Sequence, residues 1–212
     1  MSDKLTTKGY KFLTDKVKSS NGDCQWELGK WKEHEGEISI CNAGFHASPT
    51  TLDSLNYVCG DRWFMVEAEG KIIKDGDKFV ASRMRIIKEI PNLKRIAVKF
   101  SILCAKRCLK NFEKKYPNDK RQRQAIEAAQ AWLDNPTEAN RSAAWSAESA
   151  AESAAESAAG SAARSAGSAA ESAAWSAGSA AWSAGSAASN REKRWQSATL
   201  NKLVREEIES KK

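Results

Sequence analysis

Trp63-Phe64-Met65-Val66-Glu67-Ala68-Glu69 alternates with a period of two. Phe64, Val66 and Ala68 fall on one face, Met65, Glu67 and Glu69 on the other. That is the pattern of a strand laid against a core on one side. Neighbouring stretches read the same way. Gly9 to Leu13, Trp26 to Trp31, Glu37 to Cys41, Lys71 to Lys74 and Met84 to Glu89 carry alternating, β-branched or aromatic residues. Turn signals separate them at Asn21-Gly22, Glu35-Gly36, Gly60-Asp61 and Asp75-Gly76-Asp77. Ser48-Pro49-Thr50-Thr51-Leu52 predicts a short capped helix, with Leu52, Leu55 and Val58 as its apolar face. Residues 1–90 are therefore expected to form a small mixed α+β head, rich in short strands.

Beyond Pro91 the period changes. Ile96, Phe100, Leu103, Cys104 and Leu109 make one helical stripe over Ile96 to Tyr116. Pro117-Asn118-Asp119 stops that helix. Lys120 to Leu133 forms the next, with Ile126, Ala129 and Leu133 on its apolar face. Asn135-Pro136-Thr137 is a break, and Thr137 is placed to cap a further helix. Residues 91–136 thus read as a basic helical pair.

Residues 137–212 hold a low-complexity repeat and a tail. From Trp145 the chain parses into x-Ser-Ala and x-Ser-Ala-Ala units, twelve of them in the 44 residues 145–188. The mean of about 3.67 residues per unit is the spacing of an 11-residue helical repeat. The x positions then form one stripe, which includes Trp145, Trp175 and Trp182 as well as four glycines. Ala has the highest helix propensity, but an Ala/Ser surface buries little area. The expectation is a long Ala/Ser-rich helix that packs on another helix or on a second copy of the chain, with a hairpin folded back at a glycine as the competing geometry. Trp195, Leu200, Leu203, Val204 and Ile208 mark an amphipathic docking tail. The tryptophans Trp145, Trp175, Trp182 and Trp195 are the expected packing or partner contacts.

The 212 residues carry a formal net charge of +7, unevenly placed. Residues 1–90 have 14 basic and 14 acidic side chains, whereas residues 91–140 have 11 basic and 5 acidic. The charge excludes an acidic DNA mimic, and the 41% hydrophobic content excludes a wholly disordered polyampholyte. Met1 to Tyr10 is polar, with no apolar run of an export signal. No run of about 18 apolar residues suits a membrane helix. The odd count of five cysteines reads as reduced thiols in a cytoplasmic setting.

Few residues carry chemistry. His46 lies in Gly44-Phe45-His46-Ala47-Ser48, just before the short helix, where an imidazole can serve as base or can order a loop. Cys24, Cys41, His46 and Cys59 follow no zinc-ligand spacing, so no metal or other cofactor is expected. There is no Walker loop, nucleophile elbow or dinucleotide glycine pattern. Lys106, Arg107, Lys110, Lys114, Lys115, Lys120, Arg121 and Arg123 form a basic cluster suited to phosphate or to an acidic protein.

Two resemblances carry further. Glu35-Gly36-Glu37 through Cys41, then Gly44-Phe45-His46-Ala47-Ser48, Leu52-Asp53-Ser54-Leu55, Val66-Glu67-Ala68-Glu69-Gly70, Asp77-Lys78 and Ala81 together resemble an uncharacterised domain of phage and bacterial proteins. Cys104 to Trp132, the Ala repeats and Glu192-Lys193-Arg194-Trp195 are similar to proteins labelled putative immunity proteins. The resemblance implies a phage or mobile-element setting and assigns no catalytic residue. The expected function is a non-enzymatic accessory protein in the host cytoplasm that binds a protein partner, such as a host defence component. Self-association through the Ala/Ser helix is part of that expectation. The alternatives are a small enzyme acting on a nucleotide or nucleic acid through His46, and nucleic-acid binding through the basic helices.

Overall fold

The computed structural model describes residues 6–20, 24–60, 62–144, 146–147 and 174–210, with side chains undescribed over 174–188. The fold is α+β. Its centre is a long hairpin, β4 (Arg62–Asp75) against β5 (Lys78–Ile90), joined by the two residues Gly76-Asp77. Gly76 has φ +57, which a tight hairpin requires at its first central residue. The stretches Trp63–Glu69 and Lys71–Lys74 are one strand, interrupted by a bulge between Glu69 and Ile72. Gly70 makes that bulge, with φ +81, and a Cβ there would lie 2.4 Å from Ser82 Oγ. Such bulges bend and twist a strand pair.

The other strands are β1 (Thr7–Leu13), β2 (Lys32–Glu33) and β3 (Phe45–Ala47). All pairings are antiparallel, in the order β1-β4-β5-β2, with β3 also on β5. Tyr10 and Ser48 exchange two backbone hydrogen bonds, at 2.8 and 2.9 Å. The strand path therefore returns to β1 and encloses a core of Leu13, Trp26, Phe64, Val66, Phe79, Met84 and their neighbours. Outside it, Glu67 pairs with Arg85 and Glu69 with Arg83, directly across the hairpin. Both guanidinium groups stack on Trp31, at 4.6 and 4.7 Å.

Two expected strands are not strands. In Trp26–Trp31 the chain turns at Leu28-Gly29, where Gly29 has φ +79 and donates its N–H to Ile86 O at 2.8 Å. Glu37–Cys41 runs into a turn closed between Ser39 and Ala43. The short helix α1 (Thr51–Ser54) is present and capped by Thr50, but it buries Thr51 and Ser54. Leu52 and Leu55 are half-buried and Val58 is exposed, because a single turn followed by a 3-10 segment (Leu55–Tyr57) cannot sustain the expected stripe.

Beyond Pro91, α2 (Leu93–Lys115), α3 (Arg121–Asp134) and α4 (residues 138–144) come in order, and α5 spans Ala174–Glu209. Residues 148–173 lie outside the described residues. The long Ala/Ser helix expected over 145–188 therefore falls mostly outside the described residues; within that range helical backbone is described only at 146–147 and from Ala174 onward. Contacts divide the chain into two units: residues 1–96 with 197–212, and residues 97–196. In the first unit Leu200, Leu203 and Val204 are buried, and Thr51 Oγ1 donates to Asn201 Oδ1 at 2.8 Å. Asn92 Nδ2 donates to the buried Glu207 at 2.9 Å. In the second, Ile102, Ile126 and Leu133 pack with Val98, Leu109, Ala129 and Trp132. Ile102 is absent from the expected stripe. Leu103, which belongs to it, is 37% exposed.

Candidate functional site

In the head, Cys41, His46, Tyr57, Asp77 and Lys78 are linked by hydrogen bonds and a cation–ring contact around the end of the β4–β5 hairpin. β3 sets His46 opposite Val80 of β5, and Lys78 lies two residues from Val80 on the same face. The preceding turn brings the Cys41 N–H to His46 Nε2, at 2.8 Å. Nε2 is thus an acceptor, and the imidazole is the neutral Nδ1–H form. Burial, then the charge of Lys11, holds the His46 imidazole below the ordinary histidine range. Lys11 Nζ donates to the His46 carbonyl at 2.9 Å and lies over the Trp26 ring at 5.7 Å. Burial pushes that amine down.

The hairpin turn supplies the rest. Asp77 accepts from the Tyr57 hydroxyl at 2.7 Å and from Asn56 Nδ2 at 3.0 Å. These bonds, that of Tyr57 first, hold its carboxyl below the usual carboxylate range. Lys78 Nζ is 3.1 Å from Cys41 Sγ and lies over the Tyr57 ring at 5.4 Å. The sequence singles out His46 and the Asp77-Lys78 pair and groups Cys41 with His46 only in a zinc-ligand set whose spacing it rejects; it gives no sign of Tyr57 as their neighbour. No spacing rule joins Cys41 to Lys78, which are brought together by β3 pairing on β5. Among the described residues no three His, Cys, Asp or Glu side chains form a group able to hold a metal.

The basic cluster divides into two kinds of residue. Arg107 pairs with Glu192 at 2.7 Å and covers the Trp195 ring at 4.5 Å. Arg123 pairs with Glu113, and Arg121 with Asp119, each at 2.7 Å. Lys120 donates to Pro117 O, and Lys115 lies over the Tyr116 ring. Lys106, Lys110 and Lys114 are exposed, with no ion-pair partner among the described residues. Their spacing of four puts them in one row on α2. Trp195 is half-buried beneath Arg107. Trp145 lies outside the described residues, as do the side chains of Trp175 and Trp182.

The fold defines a protein of two units, a closed-path α+β head and a helical unit that bears a lysine row. Residues 7–97 match a domain of unknown function, DUF7666. Residues 91–209 match the family described as Imm-5 like putative immunity protein, and since that is more than half of the chain, the chain belongs to this family. No curated protein and no solved structure matches. No helix among the described residues is long and apolar enough to cross a membrane.

Proposed function

We propose that the chain is an immunity-type accessory protein that acts by binding a protein partner, with the Lys106, Lys110, Lys114 row meeting an acidic surface. The family match over residues 91–209 carries this reading. The lysine row supplies the chemistry: five of the eight candidate cations have internal partners, and these three have none among the described residues. A partner from a host defence system, and a phage or mobile-element setting, are the narrower form of the same proposal. Phosphate is the competing ligand, because an exposed lysine row attracts it without regard to sequence.

Capture from the native host, after nuclease treatment, tests this. Wild-type chain is expected to retain one protein at defined stoichiometry. The variant Lys106→Glu/Lys110→Glu/Lys114→Glu is expected to lose it. A protein held equally by the variant, or nucleic acid alone retained in a parallel capture without nuclease, overturns the proposal. A His46→Ala variant is expected to bind as the wild type does, and turnover of a nucleotide or nucleic acid by the wild type that this variant loses would favour the enzymatic alternative.

A further inference from the structure

We propose that the free edge of β4 over Lys71–Lys74 docks an extended acidic segment of a protein partner, added to the head sheet as one more antiparallel strand. β1 pairs with β4 only from Arg62 to Ala68. Beyond it the bulge at Gly70 bends the strand, and the Lys71 N–H donates to Ser82 Oγ at 3.0 Å. From Ile72 to Asp75, β4 has β5 on one side and, among the described residues, no strand on the other. Nor does any backbone hydrogen bond from outside the hairpin reach this stretch among the described residues. The edge belongs to the head, and its use does not depend on the lysine row of α2.

The register shows which groups are open. Asp75 and Lys78 flank the two-residue turn Gly76-Asp77, and such a flanking pair exchanges both of its backbone bonds. Ile73 opposite Val80 repeats that arrangement two residues on. The N–H and C=O of Ile72 and of Lys74 therefore point away from β5, where an added strand would take them up. Ile72 packs against the head core, and Ile73 is half-buried on the opposite face. Each keeps apolar surface that the side chains of a neighbouring strand would cover.

Charge selects the occupant. Lys71 and Lys74 are exposed, with no ion-pair partner among the described residues. They stand at the two ends of Ile72-Ile73. Two copies of this edge, paired about a two-fold axis between Ile72 and Ile73, would set each Lys71 opposite a Lys74. Like charges directly opposite destabilise a strand pair, and edge lysines guard against such self-pairing. The same two charges favour a strand that carries an acidic residue on either side of two apolar ones. Asp75, the next residue, stands opposite Lys78 in the register and does not alter that pattern. Main-chain bonds then supply the binding, and the acidic pair supplies the selectivity.

Amide hydrogen exchange of the full chain, followed residue by residue by NMR, reads the edge directly. In the free chain Ile72 and Lys74 are expected to exchange faster than Ile73, whose N–H faces β5. A blocked peptide Thr-Glu-Val-Val-Glu-Thr at millimolar concentration is expected to slow Ile72 and Lys74 several-fold. Its counterpart Thr-Lys-Val-Val-Lys-Thr is expected to leave them unchanged. Lys74→Pro removes an outward N–H without removing a bond to β5, and is expected to abolish the effect of the acidic peptide. Lys71→Glu/Lys74→Glu keeps every backbone group and is expected to reverse the preference between the two peptides. Ile72 and Lys74 protected as well as Ile73 in the free chain would overturn the proposal, because the edge is then already covered. Equal protection by the two peptides in the wild type would overturn it as well. So would binding of the acidic peptide confined to α2, a result that leaves the reading of the lysine row standing.

Discussion

Gly44 shows how one backbone position carries the head. It has φ +100, and a Cβ there would lie 2.7 Å from Val80 Cγ2 and 2.8 Å from Ile38 Cγ2. Gly44→Ala combines backbone strain with overpacking and is expected to cost about 2–4 kcal/mol. Denaturant melting of the full chain measures it, and a cost near zero would mean that the 39–44 turn moves freely. His46 sets a pH dependence. Its folded pKa lies below the unfolded value because of burial, then Lys11. The unfolded chain therefore takes up the proton first as pH falls. Stability is full above the unfolded value of about 6.5 and declines as pH falls below it toward the folded value. Protonation also turns Nε2 into a donor, which cannot receive the Cys41 N–H. The melting midpoint is expected to drop between about pH 7.5 and about pH 5, and His46→Gln should flatten that slope. An identical slope in the variant would assign the dependence to other groups. At this scale the sequence marks His46 and the Asp77-Lys78 pair. Cys41 enters the sequence reading only in a rejected zinc-ligand set, and its contact with Lys78 arises from pairing across the sheet.

Elements are legible where period and punctuation agree. α3 is expected over Lys120 to Leu133 and occupies Arg121–Asp134, with Ile126 and Leu133 buried as predicted. The alternation at Trp63–Glu69 places Phe64, Val66 and Ala68 in the core. Elements are misread where tertiary contacts override composition. Trp26 is buried by its neighbours without lying in a strand, and Ile38 is buried from a turn. Gly70 looks like a strand end, yet it is a bulge within one long strand. Caps are readable: Thr137 Oγ1 accepts the Asn140 N–H at 3.2 Å, as its place before α4 predicts. Thr137→Ala is expected to cost α4 about 1 kcal/mol. Hydrogen exchange at Asn140 and Arg141 would show this as faster exchange, and unchanged protection would place the helix start elsewhere.

On the scale of the molecule, the head is not a contiguous segment. Residues 197–212 belong with residues 1–96. The amphipathic pattern identifies the tail as a docking helix, but pattern alone cannot name the surface on which it docks. Leu200 and Val204 are 1% and 3% exposed. Burying these two and Leu203 contributes on the order of 5 kcal/mol, comparable to the whole stability of a small domain. Deletion of 197–212 is therefore expected to unfold the head, seen as loss of the near-ultraviolet signal from Trp63 and its neighbours. Leu200→Ala alone should cost about 2–5 kcal/mol. A truncated chain with a native melting transition would contradict the assignment of the tail to the head.

Binding of a protein partner through the α2 lysine row is tested most directly by calorimetric titration of the captured partner with full-length chain. The wild type is expected to bind at fixed stoichiometry, with affinity falling as salt rises. The Lys106→Glu/Lys110→Glu/Lys114→Glu variant, folded by its melting transition, is expected to bind on the order of tenfold or more weakly. Equal affinity of wild type and variant would contradict the account.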